Sequence, residues 1–296
     1  MRHFIYTICL GCLIFSACED PIDVPLDDAE NLVTVDAWLN DIPEETQTIR
    51  LTSSQPFFDS SFVAGINQAN VSVLSSTGQD YTFEKADQDG TYELRSLQNE
   101  WLDEPVGSTY TLNIEIDGVM YTSSSEKNPV PPIDSILQEE RIGEAFTEDG
   151  IYCNFFATDL PGLGDSYWIR TYKDGVFLNR PAEINIAFDA AFSAGSEVDN
   201  LVFIQPIQEL NNPVDDMRAP IPWLPGEVIR VELHAITNEA FFFMEILRDQ
   251  LLNSDNSIFA EPLANTNGNV ISSDGKEVLG FFNVSSASVL EATIGE

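Results

Sequence analysis

The stretch Thr109-Tyr110-Thr111-Leu112-Asn113-Ile114-Glu115-Ile116-Asp117-Gly118-Val119-Met120-Tyr121-Thr122-Ser123 decides the fold. Apolar and polar side chains alternate on both sides of an Asp-Gly pair. Alternation with a period of two marks a half-buried strand. Asp-Gly is favoured in two-residue hairpin turns because it tolerates positive φ at both central positions. The stretch therefore predicts a hairpin of strands 109–116 and 119–123.

Outward from this hairpin the same alternation recurs at 32–39, 48–52, 71–75, 81–84 and 91–95, with turn chemistry at Thr77-Gly78 and Asp89-Gly90. Seven short strands so spaced predict an antiparallel β-sandwich over residues 32–126, immunoglobulin-like or transthyretin-like. The run Lys127-Asn128-Pro129-Val130-Pro131-Pro132 withholds amide donors and favours an extended connection, so 127–133 reads as a linker. Residues 134–296 read as a second β-rich domain, with strands at 151–157, 167–172, 184–188, 201–205 and 228–236 and closing strands at 277–284 and 289–294. One helix is predicted at 238–253: Thr237-Asn238 supplies capping oxygens, Glu239 suits the positive helix start, and Phe241, Met244, Ile246, Leu247, Leu251 and Leu252 form an apolar arc. Glu245 and Asp249 mark its wet side. The cluster Phe241-Phe242-Phe243 reads as core rather than as a ligand platform. The expected fold class is thus mainly β, with one α-helix in the C-terminal half.

The N-terminus has the order of a secretory signal: basic Arg2, an apolar run from 4 to 15, then Ser16-Ala17-Cys18. That run falls short of the roughly 20 residues a spanning helix needs, and the acidic Glu19-Asp20-Pro21 follows it. Small residues before a cysteine form a lipobox, although Phe15 stands where an aliphatic residue is commoner. The expectation is a signal peptide over 1–17, lipid on Cys18 and an acidic tether over 18–31. Each buried lipid methylene contributes about 0.8 kcal/mol, so several acyl chains hold a protein firmly to a membrane.

With Cys9 and Cys12 in the leader and Cys18 lipidated, only Cys153 is left, and one thiol makes no internal disulfide. Its place in the alternating Ile151-Tyr152-Cys153-Asn154-Phe155 points to a buried structural thiol. Removing the leader takes Arg2 from the 13 basic residues and none of the 49 acidic ones, in a chain of net charge -36. Such a field repels nucleic acid and anionic head groups. The acids are spread along the chain, which suits a solvated surface and leaves divalent-cation binding open.

Catalytic signatures are absent from the sequence. Beyond the leader there is a single histidine, His234, and its phase in Arg230-Val231-Glu232-Leu233-His234 makes it a solvent-facing or hydrogen-bonded residue rather than a base. No G-x-S-x-G, Walker or dinucleotide fingerprint occurs, and zinc lacks ligands. Asp87-Gln88-Asp89-Gly90 fails the calcium-loop pattern and reads as a hairpin turn. A pair of carboxylates could still serve glycoside hydrolysis. Catalytic, cofactor and metal residues are therefore set at none, with Cys18 the single assigned site. Trp101, Trp168 and Trp223 are the residues around which a ligand binder would show an aromatic-lined pocket.

Cys18-Glu19, Leu32-Val33-Thr34-Val35-Asp36, Ile49-Arg50-Leu51-Thr52, Gly90-Thr91-Tyr92, Tyr110-Thr111-Leu112-Asn113-Ile114, Ile133-Asp134-Ser135-Ile136 and Val278-Leu279-Gly280-Phe281-Phe282-Asn283-Val284 together resemble the Bacteroidota lipoprotein family called domain of unknown function 4249. Ala37 departs from that pattern, standing where a glycine is expected. The resemblance implies outer-membrane residence, often beside TonB-dependent transporters, and no established activity. Glu19-Asp20 also resembles the tag that sends such lipoproteins to the cell surface. The resulting expectation is a non-enzymatic, cofactor-free surface lipoprotein that binds a ligand or partner in nutrient uptake. The alternatives are a carboxylate-dependent glycan hydrolase and a structural or adhesive envelope protein.

Overall fold

The structure is a computed structural model, and it describes residues 31–43, 45–55, 61–94, 104–143, 147–191, 199–214, 219–253 and 266–295. Cys18, the acidic tether, Arg95 and Trp101 lie outside the described residues.

Alternation in the N-terminal half becomes β1 (Val33–Asn40), β2 (Thr48–Ser53), β3 (Asn70–Ser75), β4 (Asp80–Lys85), β5 (Thr91–Leu94), β6 (Thr109–Ile116) and β7 (Val119–Glu126). The Asp117-Gly118 turn has positive φ at both residues and sets the β6–β7 register, Ile116 opposite Val119. Further along come β8 (Ile133–Arg141), β9 (Gly150–Ala157), β10 (Ser166–Lys173), β11 (Val176–Phe177), β12 (Asn185–Phe188), β13 (Val228–Ile236), helix α1 (Asn238–Leu252), β14 (Ile271–Ser272), β15 (Leu279–Ser285) and β16 (Ala287–Thr293). Among the described residues the fold is mainly β with one α-helix in its C-terminal half, as the alternation indicated.

Among the described residues nine strands form the first sheet, in the order β14-β7-β6-β3-β4-β5-β2-β1-β15. Its inner face buries Val35, Leu39, Ile49, Leu51, Val73, Phe83, Tyr92, Leu112 and Ile114 in one cluster. The sheet rolls on itself into a β-sandwich: β15 lies at one end of the order, yet the Val284 amide donates to Ser125 Oγ of β7 at 2.9 Å. β15 runs parallel to β1, and Gly280 makes the approach fit. Its φ is +90°, and a Cβ there would stand 1.9 Å from the Val35 carbonyl oxygen. Ala37, opposite Phe282, is fully buried in mid-strand, and no turn occurs there.

The second sheet runs β11-β10-β13-β16 with β12 beside β10, and β8 pairs with β9. The two expected closing strands part company at Ser286: β15 joins the first sheet and β16 the second. Residues 201–205, expected as a strand, form an irregular cover instead. Phe203 is buried in the second core and its amide bonds to the Ala157 carbonyl. Ile133 begins a strand rather than ending the Pro-rich segment. That segment is tied at both ends: Lys127 Nζ pairs with Asp41 at 2.8 Å, and the Ile133 amide donates to Ser288 Oγ. Helix α1 starts where predicted, its cap Thr237 accepting from the Ala240 amide. Phe241, Phe243 and Met244 are buried with Phe281 of β15 and Ile186 of β12, while Phe242 is exposed.

Candidate functional site

On β1 the outward residues Asp36, Trp38 and Asn40 alternate with buried Val35, Ala37 and Leu39. Antiparallel register places Arg50 of β2 beside Asp36, and Thr91 of β5 beside Arg50. In the second sheet, register sets Trp168 of β10 beside His234 of β13, Arg170 beside Glu232, and Tyr172 beside Arg230. These two polar faces meet, and the meeting is marked by Trp38 and Trp168, edge to face at 5.3 Å between ring centroids. Phe281 stacks on Trp38 at 5.6 Å from behind.

Between the faces lies a groove of about 310 Å³, with Asp36, Trp38, Glu45, Arg50, Thr91 and Glu93 on the first sheet's side and Trp168 and Arg170 on the other. Both tryptophans are partly exposed there. The Arg170 guanidinium lies 5.2 Å over the Trp168 ring and 4.7 Å over Phe177 of β11, so its plane is fixed by packing. The Asp36 side chain meets solvent, but the protein crowded around it raises its pKa, and the charge of Arg50 opposes the rise. Asn40 and Gln47, both buried, lock the β1–β2 loop: Gln47 Oε1 accepts from the Asn40 amide at 2.8 Å. Glu45 is carried on that loop.

Beneath the groove runs a buried polar relay. Glu232 is 1% exposed and gathers the Tyr172 hydroxyl (3.1 Å), Arg230 (2.8 Å), Arg170 (3.6 Å) and His234 Nε2 (3.0 Å). Burial alone would raise its pKa, but the His234 hydrogen bond and the two guanidinium charges outweigh that and hold it below the usual carboxylate range. His234, 2% exposed, is driven toward the neutral form by burial. A neutral ring donates from Nε2 to Glu232, and its Nδ1 lies 3.1 Å from the Ser285 hydroxyl, which also reaches the Leu39 carbonyl at 3.2 Å. His234 is therefore hydrogen-bonded, as one sequence reading allowed, and not solvent-facing. The polar phase of β13 is covered because the first sheet packs on it.

Ser285, His234 and Glu232 are the residue types of a hydrolase triad. All three are sealed from solvent, so no substrate reaches the hydroxyl, and it meets the ring through Nδ1. The relay pins β13 to β15.

The other residues singled out in the sequence lie elsewhere. Trp223, 2% exposed, is part of the second core and lines no groove wall. Cys153 is fully buried, and burial pushes its thiol up to about 12, which leaves it unreactive. Among the described residues no three Asp, Glu, His or Cys side chains converge as a metal cage. The Asp87–Gly90 segment is a turn in which Asp89 accepts from the Gly65 amide and from Asn67. A larger, mostly apolar cavity of about 470 Å³ is lined by Leu178, Ile184, Leu210 and Leu252 among others. Trp38 was not singled out by sequence reading. Its signal was an aromatic in phase with Asp36 and Asn40, on the polar side of a strand.

No curated protein matches the chain. Among solved structures, a two fibronectin type-III domain segment from chicken tenascin is similar at 15% identity, over 70% of this chain and 92% of that one, with a TM-score of 0.20, too low to relate the two arrangements. The family model described as Domain of unknown function (DUF4249) matches residues 19–291, and the chain belongs to that family.

Proposed function

We propose that the protein is a non-enzymatic binding protein, held by lipid on Cys18 to the outer membrane of a Bacteroidota cell and exposed at its surface. In this reading it captures a small polar ligand in the Trp38–Trp168 groove and works beside a TonB-dependent β-barrel transporter in nutrient uptake. The groove carries the binding part of the reading. It sets two aromatic rings among polar and charged side chains in one concavity of about 310 Å³, within the size range of small-molecule sites. The order Arg2, apolar run, Ser16-Ala17-Cys18 supports the lipid anchor. No helix among the described residues is long and apolar enough to cross a membrane, a fact that leaves β-barrels aside.

The test is purification from native membranes through a C-terminal tag, followed by mass spectrometry. The expected result is diacylglycerol on an N-terminal Cys18 and co-purification of a β-barrel transporter. An unmodified amino terminus, or repeated recovery of the chain alone, contradicts the reading.

A further inference from the structure

We infer that the groove between the two sheets takes a neutral sugar of one or two rings, lodged against Trp38 and Trp168 and hydrogen-bonded by Glu45, Thr91 and Arg170. The inference rests on reading the groove as a binding site and deepens it by naming the ligand class.

Three side chains that line this one groove each carry an enclosed polar atom without a hydrogen-bond partner: Glu45 Oε2, Thr91 Oγ1 and Arg170 Nε. Buried polar atoms are nearly always paired; orphans also occur away from the groove, at Ser123, Trp223 and Ser286, but here three gather around one concavity, Glu45 and Thr91 on the first sheet's side and Arg170 on the other. They comprise an acceptor, a hydroxyl that serves either way, and a donor. Sugar hydroxyls both donate and accept, so one kind of group matches the chemistry of all three. The Glu45 side chain is 31% exposed, and its first oxygen lies 4.0 Å from Arg170 Nη1.

Charge argues against an ionic ligand. The groove's carboxylates Asp36, Glu45 and Glu93 outnumber its cations Arg50 and Arg170, and Arg170 is already paired. Arg170 Nη1 lies 3.6 Å from Glu232 and 4.0 Å from Glu45, and Arg50 neighbours Asp36 in register. An anion would have to displace a carboxylate and would also approach against a net charge of -36. A cation would have to displace a guanidinium held over two rings.

Two partly exposed indoles offer apolar surface to a ligand that also needs hydrogen bonds, and a pyranose presents a C–H face together with a rim of hydroxyls. The volume, near the lower end of the roughly 300–1,000 Å³ usual for small-molecule sites, suits a mono- or disaccharide. The Asn40–Gln47 lock fixes the loop that carries Glu45, so the site is formed before the ligand arrives.

Titration calorimetry on the whole mature chain tests this. One panel is neutral: glucose, galactose, mannose, N-acetylglucosamine, maltose, cellobiose and lactose. The other is charged: glucuronate, glutamate, lysine and alanyl-alanine. The expected result is one-to-one binding of at least one neutral sugar, weakened tenfold or more by Trp168→Ala, severalfold by Thr91→Val and by Glu45→Gln, and unchanged by Leu163→Ser on an exposed loop. Trp168→Phe keeps a ring and the contacts behind it, and is expected to retain most of the binding if Trp168→Ala fails to fold. Sugar binding indifferent to all the groove substitutions overturns the site. Binding confined to the charged panel, yet lost in Trp168→Ala, overturns the sugar class and leaves the groove as a binding site. Absence of binding from both panels overturns both.

Discussion

His234 Nδ1 of the second sheet lies 3.1 Å from Ser285 Oγ of the first, and both residues are buried. The contact fixes the pH response of the junction. Burial lowers the pKa of His234 in the folded chain, while in the unfolded chain it returns to about 6.5. The contribution to stability is complete above that pH. It is lost progressively as pH falls below it, because the unfolded chain then binds a proton that the native ring refuses. The melting temperature is expected to drop between pH 7.5 and 5 in the native protein. His234→Gln should flatten that slope while lowering stability at pH 7.5. An equal slope in both proteins contradicts the assignment.

Asp165 has the opposite sign. Burial first, then the charges of Asp159, Asp189 and Asp199, raise its pKa from 3.8 to about 6. The native state disfavours its ionised form, so a penalty is absent below pH 3.8 and fully present above about 6. Asp165→Asn should stabilise the protein at pH 8 by on the order of 1 kcal/mol, a figure discounted for solvent screening of a half-buried group, and should leave stability at pH 4 unchanged. Urea denaturation at the two pH values measures this. A loss of stability at pH 8 would count against it.

Gly280→Ala should be severely destabilising. With φ at +90° and the Val35 carbonyl oxygen 1.9 Å from the new methyl carbon, β15 would have to leave β1. A loss of about 3 kcal/mol or more is expected, from backbone strain combined with a broken strand pair. The midpoint of urea unfolding reports it. Gly118→Ala is the comparison: its φ is also positive but nothing lies within 4 Å of the added carbon, so a smaller loss is expected.

Lys127 is 4% exposed at its side chain and pairs with Asp41 at 2.8 Å, with a further bond to the Glu104 carbonyl. Lys127→Met leaves the Asp41 carboxylate without its cation and should cost about 2–3 kcal/mol, scaled down from fully buried pairs because Asp41 is 21% exposed. Adding Asp41→Asn should recover much of that loss. Strictly additive losses in the double variant would show that the pair itself matters little.

Alternation read directly from the chain located β1 to β7, β15 and helix α1, because each has one face in a core, while the two-residue β14 fell in a segment read as a loop. Residues 201–205 misled by the same criterion. Their alternation is real, but Phe203 inserts into the core from a segment that bonds to Ala157 and Ala190 as a cover rather than as a ladder strand. β8 escaped notice because few of its residues are buried and its register shifts between Ile133 and Ser135. The polar phase of β13 was legible, but not its covering by the first sheet, so the sequence left His234 as either solvent-facing or hydrogen-bonded. The same long-range packing makes the groove. The sequence shows Trp38 among polar residues and Trp168 beside Arg170, and only the junction of the sheets shows that the two rings touch.

The most direct test of the ligand groove is a two-dimensional proton–nitrogen NMR titration that follows the indole N–H signals, assigned by single Trp→Phe substitutions, as the tightest neutral sugar from calorimetry is added. The signals of Trp38 and Trp168 are expected to move together and saturate, while that of Trp223, enclosed in the second core, stays in place. Movement of Trp223 with the groove signals unmoved, or no movement at saturating sugar, would contradict that expectation.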